Sequence, residues 1–261
     1  MLFYEMTGFM SGHETEDEDG ADIGLPAIED ACFLTDFDGT LVDIADRPMD
    51  VVVPDGLPDL LRRLHERMNG RVALVSGRSI EALEHFLPDF PGAIVGTHGA
   101  ETRIAGIHAP ADDFDLATVS RLQRLVEDFV ALQPGFLMEK KPSGVVLHYR
   151  QAEDRAGLAL RFMESLAGAA ESFRLQPALM AYELKPDSVG KDIGIEKLLS
   201  LPGWEGKTPV FCGDDLTDEP ALELVQRQGG VGVKIGEAET CAAHRLSCPR
   251  ALRAQLERWL A

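Results

Sequence analysis

The chain has 261 residues, enough for one large or two modest domains, and an apolar share of 45% that is ordinary for a globular protein. Forty-four Asp and Glu against 25 Lys and Arg give a formal net charge of −19, which argues against nucleic acid as a partner, since that affinity comes from neutralising phosphates with cations. No run approaches the roughly 18 apolar residues of a membrane span. The first residues lack a basic and apolar leader pattern, and Cys32, Cys212, Cys241 and Cys248 have no paired or zinc-type spacing, so a reduced, cytoplasmic protein with no membrane association is expected.

Residues 1–29 read as an acidic extension, because "ETEDEDGAD" is a like-charge block that repels itself and is expected to be flexible. "ACFLTDF" is then a short apolar strand that runs into Asp36 and Asp38, with Gly39 and Thr40 directly behind. In "GLPDLLRRLHERMNG" the residues Leu57, Leu60, Leu61, Leu64 and Met68 fall at helical spacing, and Gly70 is placed to end the helix. "RVALVSGRS" reads as a second strand, "IEALEHFL" as a helix and "GAIVGTHGAE" as a third strand entering a Gly-rich loop. This alternation predicts a parallel sheet with right-handed crossovers. Ligands of such sheets sit beyond the carboxyl ends of the strands, where Asp36, Asp38, Ser76, Arg78, His98 and Gly99 fall.

The middle of the chain changes character. "LATVSRLQRLVEDFVAL" is an amphipathic helix, and "GFLMEKKPSGVVLHYR" is a hairpin turning at Pro142, Ser143 and Gly144. A second helix, "RAGLALRFMESLAGAAES", and the strand "LMAYELKP" complete an α+β module. The parallel pattern resumes with the helix "KDIGIEKLLSL", the strand "TPVFCGDD", the helix "DEPALELVQRQ" and the strand "GGVGVKIG". The expected organisation is therefore an α/β core over 30–107 and 186–261, interrupted by an inserted cap over 108–185.

A second strand end carries Asp214 and Asp215, with Asp218 three residues on. Two acidic strand ends side by side raise one another's proton affinity and oppose folding unless something offsets them. A divalent cation does so, and carboxylate and carbonyl oxygens suit Mg²⁺. Phosphoryl transfer needs an in-line nucleophile, a proton for the leaving oxygen and positive charge on the equatorial oxygens. Asp36 can attack, Asp38 can serve as acid and base, and Ser76 with Lys191 can hold phosphoryl oxygens. In the insertion, alternation along a strand puts Glu139 with Lys141, His148 with Arg150, and Glu183 with Lys185 on shared faces. Such a surface offers sugar hydroxyls both acceptors and donors.

"DFDGT", "SGR", Lys191 and "GDDLTDE" stand in the order of the four motifs of the haloacid dehalogenase-like phosphatases, which the chain resembles. Within that superfamily "DFDGTL", "VSGRS", "GTHGAE", "MEKKPSGVVLHYR", "YELKP" and "GDDLTDE" resemble segments of the trehalose-6-phosphate phosphatases, from Ala31 onward. The resemblance implies a Rossmann-like parallel-sheet core, an inserted α/β cap, and Mg²⁺-dependent hydrolysis of trehalose 6-phosphate to trehalose and phosphate through an aspartyl-phosphate. By that likeness Asp36 is nucleophile and metal ligand. Asp38 is the acid/base and lends the metal its backbone carbonyl, Asp214 is the remaining ligand, and Asp215 and Asp218 support the shell. Ser76 and Lys191 complete the catalytic set. Arg78, His98, Glu139, Lys141, Arg150, Glu183 and Lys185 are the substrate-binding candidates, and a functional link with a trehalose-6-phosphate synthase is implied. Asp192 departs from the glycine common in the family. Two alternatives stay open: a phosphatase for another sugar phosphate, and a silent homologue that binds the ester and regulates a partner.

Overall fold

Five consecutive residues with no exposed surface, ACFLT, form the central strand β1 (Ala31–Thr35) of a computed structural model that describes residues 23–45, 47–110, 115–178 and 180–261. α1 (Leu57–Arg67), β2 (Val72–Val75), α2 (Ile80–Phe86), β3 (Ala93–Gly96), β4 (Glu101–Ile104) and β5 (Ile107–Pro110) follow. The insertion comprises α3 (Leu116–Leu132), β6 (Leu137–Lys141), β7 (Gly144–His148), α4 (Ala156–Gly168), β8 (Phe173–Ala178) and β9 (Ala181–Pro186). The core then closes with α5 (Lys191–Leu199), β10 (Thr208–Gly213), α6 (Glu219–Arg227), β11 (Val231–Ile235), β12 (His244–Leu246) and α7 (Pro249–Leu260).

The core sheet has the order β12-β11-β10-β1-β2-β3-β4-β5, parallel from β12 to β3 and antiparallel at β4 and β5. Helices cover both faces, which is why its inner strands are apolar throughout and do not alternate. Phe33, Leu74 and Val210 pack under α1 and α7, through Leu60, Leu64, Leu252 and Leu256. Leu34, Val75 and Phe211 pack on the other face under α5 and α6, through Ile195, Leu198, Leu222 and Val225. The chain leaves β1 toward β2 and returns after the insertion to β10, on the opposite side of β1. This is a topological switch point, where a crevice opens beyond the carboxyl ends of the strands. Thr35 is paired with Cys212, so the acidic residues after β1 and after β10 emerge side by side.

The cap is a four-stranded antiparallel sheet, β6-β7-β9-β8, backed by α3 and α4. Val145, Leu147, Phe173 and Leu184 bury one face against Val119, Leu122, Val126, Ala159 and Met163 of the two helices.

Several boundaries differ from the sequence reading. "ETRI" and "IHAP" pair as β4 and β5 on the core sheet, so residues 108–110 sit with the core and not with the cap. β8 supplies a fourth cap strand, and β12 and α7 complete the core. Of the segment assigned to the acidic extension, residues 1–22 lie outside the described residues. Residues 23–29 pack onto the core, with Ile23 and Ile28 buried, the Trp259 indole donating to the Pro26 carbonyl at 2.8 Å and Arg71 donating to the Glu29 carbonyl.

Candidate active site

The turn after β1 sets the first carboxylates. Asp36 continues the ladder by donating its N–H to the Cys212 carbonyl, then the chain folds back with Gly39 N–H on the Val42 carbonyl and Leu41 N–H on the Phe37 carbonyl. Gly39 has φ +71°, and a Cβ there would lie 2.1 Å from Asp214 Oδ2. Glycine is therefore required twice, by the left-handed backbone and by the approach of Asp214. Thr40 Oγ1 donates to Asp214 Oδ1 at 3.1 Å, tying the two acidic strand ends together.

After β10, Asp218 organises the second acidic loop. Its Oδ2 accepts from the backbone N–H groups of Asp214 and Asp215, and its Oδ1 accepts from Lys191 Nζ at 2.7 Å. The same ammonium lies 3.0 Å from Asp36 Oδ1. That oxygen is buried and meets no donor besides this ammonium. Burial opposes the Lys191 ammonium, but Asp218 and Asp36 together outweigh it, and its proton affinity ends above the usual lysine range. Burial raises the Asp36 carboxyl well above the carboxylate range. Lys191 offsets part of this, and Asp218 and Asp214 add to it. Asp214 is raised as well, by burial and by Asp218.

Asp36, Asp214 and Asp218 bring carboxylate oxygens within 4.8 Å of one another. With Asp218 committed to Lys191 and two backbone donors, Asp36 and Asp214 are the carboxylates left to share an ion. Buried hard oxygens whose charge is opposed first by burial and then by one another, beyond what one lysine offsets, fit a divalent cation. The cluster is consistent with the metal expected from the sequence, and it holds Asp218 in addition to Asp36 and Asp214, while the Asp38 carboxylate stands outside it.

A cleft of about 700 Å³ opens over these groups, lined by Asp36, Asp38, Ser76, Arg78, His98, Lys191, Asp214 and Asp215, with Ile44, Pro48 and Val51 as an apolar wall. Ser76 is buried and its Oγ accepts from the Arg78 N–H. Arg78 does not stand free for a substrate. It grips both Asp38 oxygens at 2.5 and 2.7 Å while lying over the Phe86 ring. Such a bidentate pair fixes the carboxylate plane as well as its position. His98 adopts φ +54°, and its ring crowds Gly77, where a Cβ would come within 2.6 Å of it. Burial, reinforced by Lys191, Lys141 and Lys185, pushes the imidazole down to about 3, so it is neutral at physiological pH. Glu101 fixes this loop by accepting from Thr97 Oγ1 and the Ile80 N–H.

The cap's other sheet face carries the remaining candidates. Glu139 and Glu183 flank Val146 in one cross-strand row, Lys141 lies 3.7 Å from Glu183, and Glu139 contacts His148 at 3.1 Å. Lys185 is buried, and burial, only partly offset by Glu183, lowers it to about 8. Arg174, paired with Lys185 across β8 and β9, bonds Val189 and Asp192 on either side of the cleft residue Lys191, so this end of the cap sheet meets the core beside the cleft. Arg150 lies past the end of β7 in an exposed turn, off the ladder that carries the others. Sequence reasoning missed Thr40, Glu101 and the Arg78–Asp38 grip. All three sit inside quoted motifs, but their partners are distant in sequence, except for Thr97.

The trehalose-phosphatase family profile matches residues 34–252. The chain belongs to the trehalose-phosphatase family. It is 35% identical over 217 residues to trehalose-6-phosphate phosphatase of Escherichia coli, covering 81% of this chain and 80% of that protein. It is 34% identical to a probable trehalose-phosphate phosphatase of Sinorhizobium fredii, covering 79% and 77%. Among solved structures, a trehalose-6-phosphate phosphatase related protein aligns with TM-score 0.64 and 26% identity over 88% of this chain and 96% of that one. A haloacid dehalogenase-like hydrolase of B. subtilis aligns with TM-score 0.63 at 14% identity over 86% and 98%, a likeness of fold. Family membership makes the protein a phosphatase, a hydrolase of phosphoric monoesters. Among the described residues no helix is long and apolar enough to cross a membrane.

Proposed function

We propose that the protein hydrolyses trehalose 6-phosphate to trehalose and inorganic phosphate through an aspartyl-phosphate on Asp36, with Mg²⁺. The observation that supports the substrate is the polar cap face, where Glu139, Lys141 and Glu183 share the sheet face from which Arg174 reaches the Lys191 loop. Carboxylates and ammonium groups in this arrangement accept from and donate to sugar hydroxyls, while the core supplies the phosphoryl chemistry. Relatives carrying that substrate in their names support the reading.

Asp36 and Asp214, with the Asp38 backbone carbonyl, would hold Mg²⁺, which supplies positive charge to the phosphoryl oxygens as the ester bond breaks. Asp36 attacks phosphorus, the bond from phosphorus to the sugar oxygen breaks, and Asp38 delivers a proton to the departing oxygen. Asp38 then takes a proton from water, whose oxygen attacks the acyl phosphate and releases phosphate with Asp36 regenerated. Lys191 and the Ser76 hydroxyl hold phosphoryl oxygens throughout, and for its two proton transfers Asp38 uses the oxygen that Arg78 releases from the bidentate pair, while the other stays held. The four cysteines, scattered in the sequence without a paired spacing, support a reducing, cytoplasmic location. A bifunctional trehalose-6-phosphate synthase/phosphatase of Thermoproteus tenax, 32% identical over 237 residues, supports a functional link to a synthase.

The test is phosphate release from the 6-phosphates of trehalose, sucrose and glucose, with Mg²⁺ or EDTA, for the natural protein and Asp36→Asn. Preference for the trehalose ester, lost in EDTA and in the variant, is expected. Preference for another ester overturns the substrate and leaves the chemistry standing. Tight binding of the trehalose ester without release points to the silent homologue.

A further inference from the structure

Arg174, on cap strand β8, reaches across to the core. Its Nη2 donates to the Val189 carbonyl at 3.1 Å and to Asp192 Oδ1 at 3.2 Å, and its Nη1 donates to Asp192 Oδ2 at 3.4 Å. Val189 and Asp192 bracket Gly190 and Lys191, the residues that start α5. Gly190 is extended, so its backbone needs no glycine. Space is the reason: a Cβ there would lie 2.2 Å from Arg174 Nη2 and 2.1 Å from Asp192 Oδ1. On its far side the loop rests on Gly99, where a Cβ would approach the Gly190 carbonyl oxygen to 2.3 Å. The backbone that presents Lys191 is thus held between a cap guanidinium and the His98–Gly99 turn.

Lys191 has to keep its ammonium 3.0 Å from Asp36 and 2.7 Å from Asp218. Misplacement of a reacting group by about 1 Å can cost about a hundredfold in rate. We propose that Arg174 is a positioning residue for phosphoryl transfer. By clamping Val189 and Asp192 it fixes the Lys191 loop and ties that end of the site to the position of the cap. This rests on the role given to Lys191 above. A simple ion pair that is partly exposed contributes little. A forked pair combined with a bond to a main-chain carbonyl restrains both ends of a four-residue loop. The competing assignment is that Arg174, which shares its sheet face with Gln176, touches the sugar. Its polar contacts go to the loop instead.

The test is a cycle of Arg174→Ala, Asp192→Ala and the double variant, assayed at saturating Mg²⁺ on trehalose 6-phosphate and on p-nitrophenyl phosphate, which has no sugar. Each single variant is expected to lower kcat about tenfold on both esters with KM within twofold, and the double variant to be no slower than the slower single. A loss confined to the trehalose ester makes Arg174 a sugar contact and overturns the proposal, as do multiplied losses in the double variant or an unchanged kcat. If Arg174→Ala does not fold, Asp192→Ala decides by the same kcat and KM criteria. Lys191→Ala separates the two readings. A folded, active Lys191→Ala removes the basis for Lys191 itself. An inactive one beside fully active Arg174→Ala overturns the clamp alone.

Discussion

Two buried lysines, Lys191 in the cleft and Lys185 on the cap sheet, are shifted in opposite directions, and their surroundings explain the difference. Lys191 has two carboxylates within 3.0 Å and holds its proton more tightly than a free lysine. Lys185 has burial, Arg174 and Lys141 against it and only Glu183 and Asp192 in its favour, so it falls to about 8. Removing Lys191 leaves Asp218, which is fully buried, without its cation. Lys191→Met is therefore expected to abolish turnover and to cost about 3–5 kcal/mol by denaturant titration, the range for breaking a buried pair. Lys185→Met should do the reverse to stability. Below pH 8 the folded protein carries the Lys185 charge at a cost, so the variant is expected to be more stable by about 1–2 kcal/mol at pH 7, with KM for the sugar ester raised. Between pH 8 and 10.5 the folded form has released this proton while the unfolded chain keeps it. Wild-type stability then rises with pH relative to the variant, and the gain should shrink across that window. A stability difference between the two that does not change from pH 7 to 10 would show that Lys185 is not held below its ordinary value.

At the level of elements, the strand ends decide the chemistry, and they were the most legible part of the sequence. β1, β2 and β10 are covered on both faces, so their apolar runs are continuous and the acidic or Gly-rich residues that end them stand out. β4 is half-buried and β8 carries Pro177 and Arg174 among apolar residues, so neither has a clear period. Their partners across the sheet determine them instead. The grips that finish the site, Arg78 on Asp38 and Thr40 on Asp214, are tertiary contacts that no spacing encodes. The turn after β1 offers a direct test. Gly39→Ala places a side chain at φ +71° and moves the Asp214 carboxylate, which can rotate aside. The fold should lose about 1–3 kcal/mol, from the left-handed backbone of a residue with a side chain. Mg²⁺ affinity, read by calorimetric titration, is expected to fall at least tenfold, and unchanged affinity would mean that Asp214 is not a ligand.

Across the whole molecule, the chain is strongly acidic and then gathers three carboxylates at one switch point, with Lys191 as the cation bridging two of them. The fold tolerates this because the ends of β1 and β10 have no other course: the ladder that pairs Thr35 with Cys212 forces the two acidic loops together. Stability is thus linked to whatever offsets that charge. A ligand that binds only the folded state adds about 2.7 kcal/mol at a hundred times its dissociation constant. For a chain of this size each kcal/mol moves Tm by about 2–4 °C. Mg²⁺ in that excess is therefore expected to raise Tm by about 5–10 °C over EDTA. Asp214→Asn should act with opposite signs in the two conditions. In EDTA it removes a carboxyl whose charge is opposed by burial and by Asp218, so its Tm should exceed that of the wild type. In Mg²⁺ it lacks a ligand, so most of the increment should disappear. A variant that gains as much from Mg²⁺ as the natural protein would place the cation away from Asp214. A wild type whose Tm is the same in EDTA and Mg²⁺ would mean that the acidic cluster is stabilised by the chain alone.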